Sequence, residues 1–239
     1  MKISSINNEK VVYWAKLKMK KYRDIEHLFI VESRHLVEEA IKKGIVQEII
    51  TTEDYVSDYP TYNVTPEIMK RISTLISPPS LMAVCRYIAP SDITGNVLLL
   101  DRVQDPGNLG TIIRSAVAFN FQTIIASSDT VDFYNDKVIR SSEGMLFNIN
   151  FIRSNLLEII PFLKEKGYYV LGTIVNKGID PRKIKKDHIA VIIGNEGQGM
   201  SYEIINHCDN FINIPMNSNC ESLNAAVASS IIMYEVFHE

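Results

Sequence analysis

The sequence predicts an α/β protein in two parts: a doubly wound, mostly parallel sheet toward the C-terminus, preceded by a small α/β sandwich. Three observations carry this. Runs such as VLLLD (97–101) and HIAVIIGNE (188–196) are almost continuously apolar, as strands buried on both faces of a parallel sheet are. Segments with helical apolar spacing alternate with these runs. A turn-rich stretch, IAPSDITGN (88–96), separates the two parts and sets the junction. The expected domains are therefore 1–90 and 91–239.

Within the first part, a helix is expected over 7–21. LFIVES (28–33) reads as a strand feeding a helix over 34–43, which Gly44 stops. VQEIITTE is a second strand and Val64 marks a short third. Pro66 opens another helix, and LMAVCRYI closes the part as a strand. The second part begins with VLLLD. A polar loop, RVQDPGN, leads from it into a helix over 109–120, which Asn108 can cap. Its apolar face is Leu109, Ile112, Ile113, Ala116 and Phe119. QTIIAS, a helix over 135–142, NINFI, a helix over 156–166, YYVLGTI and HIAVIIGNE follow, then a helix from about Ser201. The last stretch reads as a strand (211–216), a glycine-free polar loop (217–221) and a helix capped by Ser222. That helix keeps Leu223, Val227, Ile231 and Tyr234 on one face.

Composition narrows the function classes. With 46% hydrophobic and 22% charged residues, the chain has an ordinary globular make-up. No stretch approaches the roughly 20 apolar residues needed to span a bilayer, and MKISSINNEK does not read as a secretory signal. Neither a disulfide framework nor a metal site follows from Cys85, Cys208 and Cys220, or from histidines at 27, 35, 188, 207 and 238. Cytoplasmic residence, no structural metal and no membrane are expected. Residues 1–88 hold 13 Lys/Arg against 11 Asp/Glu, a balance of +2, and the remainder 12 against 17, or −5. Lys16, Lys18, Lys20, Lys21 and Arg23 cluster within eight positions. They could meet phosphates, with Tyr13, Trp14 and Tyr22 stacking on bases. A solvated helix face accounts for the same lysines without a partner.

Three segments place polar residues where a buried strand ends and a helix begins, the usual ligand position in open α/β sheets. In DPGNLGTIIRSA, Asp105–Gly107 makes a tight turn, and Arg114 puts a charge in an apolar helical run. Such a charge is expensive unless paired or functional, and Glu196 is available as its partner. IIGNEGQGMS carries Gly194, Gly197 and Gly199, which free the backbone to wrap a ligand, yet it is neither G-x-G-x-x-G nor a P-loop. In the third segment Asn217, Ser218, Asn219, Glu221, Ser222 and Asn224 crowd a helix start. LGTIV (171–175), with Gly172 and Thr173, ends a further strand.

NLGTIIRSAVAFN, IIGNEGQGMS and IPMNSNCESLNAAVASSIIMYE, in this order, resemble the three signature motifs of the SpoU (TrmH-like) RNA methyltransferases of the SPOUT superfamily. KVIRSSEGMLFNI resembles that family's link between its first and second motifs. YRDIEHLFIVESRHLVEEAIKKG, with SPPSLMAVCRY, resembles the L30e/L7Ae-like substrate-binding module often fused ahead of such domains; Ser33 stands where its E-G-x-H pattern has glycine. The resemblance implies a SPOUT fold with a deep trefoil knot, a homodimer, and methyl transfer from S-adenosyl-L-methionine to a ribose 2′-hydroxyl of RNA. Ribosomal RNA is preferred over transfer RNA. It also implies cofactor contacts at Thr173, Gly194, Ile214 and Leu223, with Asn108, Arg114, Glu196, Ser222 and Asn224 lining the site of transfer and Glu196 orienting Arg114. The alternative is an RNA-binding or ribosome-assembly protein with a catalytically silent methyltransferase fold, against which the intact five residues argue. A nicotinamide oxidoreductase lacks its glycine fingerprint, and the basic first part disfavours a methylase of small molecules.

Overall fold

The computed structural model describes residues 1–237, so His238 lies outside the described residues. In chain order the elements are β1 (Lys2–Ile3), α1 (Glu9–Lys16), α2 (Lys20–Glu26), β2 (Leu28–Glu32), α3 (Arg34–Lys43), β3 (Val46–Thr51), β4 (Thr61–Val64), α4 (Pro66–Ile72) and β5 (Leu81–Arg86). Then come β6 (Asn96–Leu100), α5 (Pro106–Ala118), β7 (Phe121–Ala126), α6 (Asp136–Ser141), β8 (Asn150–Arg153), α7 (Leu156–Glu165), β9 (Tyr169–Thr173), β10 (Ile189–Ile193), α8 (Tyr202–Ile205), β11 (Asn210–Ile212) and α9 (Ala225–Val236). Two compact units result: Met1–Ala89 with Asp132–Phe147, and Pro90–Val131 with the chain from Asn148 onward.

The first unit is a mixed five-stranded sheet, β1-β4-β3-β5-β2, in which β5 runs antiparallel to both its neighbours. Trp14, Leu17, Ile50, Ile68, Met69 and Met82 share its core. The helix expected over 7–21 is instead two helices. The Arg23 guanidinium captures the carbonyls of Leu17 (3.0 Å) and Lys18 (2.7 Å) and pairs with Asp132 (2.6 Å), which holds the chain bent between α1 and α2. Trp14 is fully buried, edge-on to Tyr62 and donating to Glu48, so it cannot stack on a base. Much of the basic cluster is engaged within the unit: Lys18 on the Arg71 carbonyl, Lys20 on Asp24 and Lys16 over the Tyr22 ring. The strand-to-helix step at Ser33 is as expected, with Ser33 capping the Leu36 N–H and Gly44 ending α3 in the left-handed region. The 132–147 segment completes the unit through aromatic contacts. Tyr134 stacks on Tyr87 at 3.9 Å and lies 4.6 Å from Phe29, and Phe147 also faces Phe29.

The second unit is a six-stranded sheet, β11-β9-β10-β6-β7-β8, and every pairing in it is parallel. β6 and β10 are buried nearly throughout, which explains their continuous apolar sequence. From β6 the chain steps outward to β7 and β8, then returns to place β9 and β10 on the other side of β6. The direction of strand order therefore reverses beside β6, and the crevice beyond the carboxyl ends of β6 and β10 is where such folds take ligands. Two helix starts differ from expectation. α5 begins at Pro106 under Asp105, whose carboxylate accepts the Asn108 N–H at 2.7 Å, and α9 begins at Ala225 under Asn224. β11 ends at Ile212, so 213–216 is loop.

Candidate active site

Four chain segments leave the carboxyl ends of β6, β9, β10 and β11 and meet around two adjoining cavities. The turn after β10 is folded on itself: Asn195 and Gly199 exchange both main-chain hydrogen bonds (3.0 and 2.9 Å), and the Asn195 side chain accepts the Gly197 and Gln198 N–H groups. Gly194 is required by this closure, because a Cβ there would sit 2.3 Å from the Gly199 carbonyl carbon and the Met200 nitrogen. Thr173 ties the end of β9 to β10 by donating its hydroxyl to the Ile192 carbonyl (2.8 Å).

The first cavity, about 370 Å³, falls within the range of small-molecule sites. Thr173, Gly194, Ile214 and Leu223 all line it, together with the apolar Ile174, Val175, Ala228 and Ile232. The main-chain N–H groups of Gly194, Ile214 and Leu223 have no hydrogen-bond partner among the described residues. They present donors to any planar ligand edge held between the apolar side chains. Sequence reading missed Ala228 and Ile232 because they sit on a helix face indistinguishable from core.

The second cavity, about 500 Å³, is lined by Gln104, Asp105, Asn108, Glu196, Ser222, Leu223, Asn224 and Ala225. Glu196, Ser222, Leu223 and Ala225 belong to both cavities. Glu196 accepts from the Asn108 amide (3.1 Å) and from the N–H groups of Asp105 (3.1 Å) and Gln104 (3.2 Å). Partial burial opposes its charge, but the Asn108 amide and these main-chain donors outweigh burial and hold the carboxyl below the usual carboxylate range. Asn224 donates to the Asn108 side-chain carbonyl (2.9 Å) while its own carbonyl oxygen caps α9 through the Ala226 and Val227 N–H groups. One hydrogen-bonded chain, Glu196–Asn108–Asn224, thus joins three segments that are far apart in sequence.

Arg114 does not join them. It lies exposed on α5, about 9 Å along the axis beyond Asn108, and lines neither cavity. Within one chain no hydrogen bond or ion pair joins Arg114 to Glu196, whose carboxylate accepts the donors of the 104–108 segment. Arg114 instead sits beside the seam of α5 with α9, where Ser115 meets Ser230 (2.6 Å) and Phe119 packs edge-on against Tyr234. On α9, Val227 and Tyr234, expected on one apolar face, are 46% and 62% exposed.

Comparison with known proteins gives the family and the fold. The profile of the SpoU rRNA Methylase family matches residues 95–234, and that of the MRM3-like substrate binding domain matches residues 8–83. The chain is 37% identical over 243 residues to the 23S rRNA (guanosine(2553)-2′-O)-methyltransferase RlmP of Bacillus subtilis, covering 98% of each protein. Among solved structures, the AdoMet-bound rRNA methyltransferase from Sinorhizobium meliloti superposes with a TM-score of 0.89 at 26% identity, covering 99% of this chain and 97% of that one. The SpoU methyltransferase AviRb from Streptomyces viridochromogenes, in complex with AdoMet, gives 0.86 at 25% identity, with 97% of each chain covered. With the methylase profile matched over residues 95–234, the leading module over 8–83 and a relative 37% identical along nearly its whole length, the chain belongs to the SpoU rRNA methylase family, as an enzyme fused to an MRM3-like substrate-binding domain.

Proposed function

We propose that this protein methylates a ribose 2′-hydroxyl of ribosomal RNA with S-adenosylmethionine as donor, acting in the cytoplasm as a homodimer. The observation that carries the reading is the junction of the two cavities. A pocket of apolar walls and free main-chain donors shares Glu196, Ser222 and Leu223 with a polar pocket open to a larger substrate. The first suits an adenine edge and a thioether chain; the second suits a nucleotide.

The residues fit the donor. Gly194, Ile214 and Leu223 would hold its base through main-chain groups, and Thr173 would keep the β9 end in place. When bound, S-adenosylmethionine supplies an activated methyl group on a sulfonium leaving group. The protein's share is alignment of the hydroxyl with that methyl, a positioning task. Asn108 and Asn224, held by Glu196 and by the α9 cap, would fix the acceptor ribose, with Ser222 at the junction. A guanidinium is a poor base, so the role that suits Arg114 is to grip an RNA phosphate and stabilise charge developing on the 2′-oxygen.

Because Arg114 lines neither cavity within one chain, delivery from a second copy fits the placement better than delivery within the same chain. The exposed Val227 and Tyr234 beside the α5–α9 seam support that face as the dimer contact. The threading of the C-terminal chain into a trefoil knot belongs to the same family-based reading. RNA rather than DNA follows because DNA lacks the group modified. The first unit, by its match to a substrate-binding domain, would select the RNA, with residues 1–90 and 91–239 as the nominal division of labour.

Mass mapping of 2′-O-methyl sites in total RNA, with and without the gene, tests the activity. One site lost from ribosomal RNA is expected; an unchanged methylation map overturns the reading. In vitro, Arg114→Lys should cut turnover by about 100-fold with donor binding intact. A methyl-transfer rate near wild type would make Arg114 structural.

A further inference from the structure

We infer that Arg102 is a positioning residue for the donor cavity: its guanidinium latches the 194–199 turn onto the end of β6 and holds that turn ready for ligand. The inference rests on the reading of the cavity as the S-adenosylmethionine site.

Arg102 has φ +60, in the left-handed region, which costs any residue with a Cβ. Nothing in the β6 end requires arginine there, and glycine would adopt the same backbone freely. What arginine adds is reach. Its Nε donates to Asp101 Oδ1 (3.0 Å), Nη1 to Gln198 Oε1 (2.9 Å) and Nη2 to the Gly199 carbonyl (3.2 Å). Asp101 is the buried footing of this fork, with a side chain only 5% exposed, and it also accepts the Ser201 N–H at 2.7 Å. The main chain of Arg102 is pinned from the opposite direction, since Asn195 donates to its carbonyl (2.8 Å) and its N–H reaches Ser127 Oγ (3.0 Å).

Gln198 and Gly199 line the donor cavity, yet both are exposed. The internal bonds of the turn set its shape but not its angle to the sheet. Beyond the β10 strand end, Glu196 ties the near side of the turn to the 104–108 segment, and the Arg102 fork is the link to Gln198 and Gly199. A planar fork can serve three acceptors in fixed directions, which a lysine ammonium cannot. The left-handed backbone of Arg102 aims that fork across the gap between β6 and β10. Strain is thus retained at a position where it brings order to the ligand pocket.

Arg102→Gly and Arg102→Ala separate this role from a structural one. Glycine removes the latch and relieves the backbone; alanine removes the latch and keeps the strain. Melting temperature, isothermal titration with S-adenosylmethionine, and hydrogen exchange at the Gly199 amide are measured on the full-length protein. If the latch operates, both variants bind about tenfold more weakly than wild type, and both show faster Gly199 exchange without ligand. Arg102→Gly then melts no lower than wild type. Wild-type affinity in Arg102→Gly, or a binding loss confined to Arg102→Ala and proportional to its fall in melting temperature, overturns the inference. A wild-type protein that takes up no S-adenosylmethionine would overturn the cofactor reading, and the latch with it.

Discussion

Gly194→Ala and Gly197→Ala form a matched pair of perturbations three residues apart in one turn. At Gly194 the added methyl would lie 2.3 Å from the Gly199 carbonyl carbon and from the Met200 nitrogen, and 2.8 Å from the Gly199 oxygen. These are main-chain atoms, so no side chain can swing aside, and the Asn195–Gly199 pair of hydrogen bonds has to open. Overpacking of this kind costs about 2 kcal/mol, which lowers the melting temperature of a unit this size by roughly 4–8 °C. The two hydrogen bonds lost contribute about 1 kcal/mol each, so the closed turn becomes roughly 30-fold less populated. S-adenosylmethionine affinity should fall at least about tenfold with it. At Gly197 the nearest atom to the added methyl is Asn195 Oδ1 at 3.7 Å, an ordinary contact. Its variant should melt within about 1 °C of wild type and bind within about twofold. Thermal unfolding and isothermal titration report both quantities. Wild-type binding by Gly194→Ala would refute the reasoning, as would equal damage from Gly197→Ala.

Three further outcomes are expected. Asn224→Ala removes an N-cap, at a cost of about 1 kcal/mol, and also the anchor on Asn108. Methyl transfer should therefore fall far more than stability, while Asn224→Asp, which keeps the cap, should match it in activity loss only. The Glu196 carboxyl is held below its ordinary range, so its contribution is complete above the usual carboxylate value and is lost as pH falls through the lowered one. Donor affinity should be flat from pH 8 to about 5 and decline below about pH 4, and a midpoint near neutrality in binding titrations would contradict this. If the proposed homodimer forms through α9, Tyr234→Asp should leave the protein monomeric in light scattering and abolish transfer, whereas a dimeric variant would remove α9 from the interface.

The strands and their order of burial were legible because a sheet covered on both faces imposes unbroken apolar runs, and β6 and β10 have them. Helix starts were less so. Near both Asn108 and Ser222 several residues can cap, and sequence could not tell which oxygen would reach the N–H groups. Asp105 and Asn224 won, which leaves Asn108 free for Glu196 and Ser222 free at the cavity junction. The break between α1 and α2 was invisible because it is made by Arg23, whose partners include Asp132, more than a hundred residues away. The pairing of Arg114 with Glu196 was inferred from charge alone. Within one chain that carboxylate instead takes two main-chain donors, which carry no sequence signature, and the Asn108 amide. Which part of the apolar face of α9 is exposed was not legible, because apolar residues read the same whether they meet a core or are left exposed, as Val227 and Tyr234 are.

The segment Asp132–Phe147 carries a consequence for how the protein is made. It is translated after β6, α5 and β7, yet Tyr134 and Phe147 complete the aromatic contacts of Phe29 and Tyr87. A chain that holds only the first 89 residues therefore lacks the aromatic partners that Phe29 and Tyr87 meet in the finished unit. A fragment ending at residue 90 would expose that aromatic surface permanently, and swapping in another leading module would have to carry this later segment along with it.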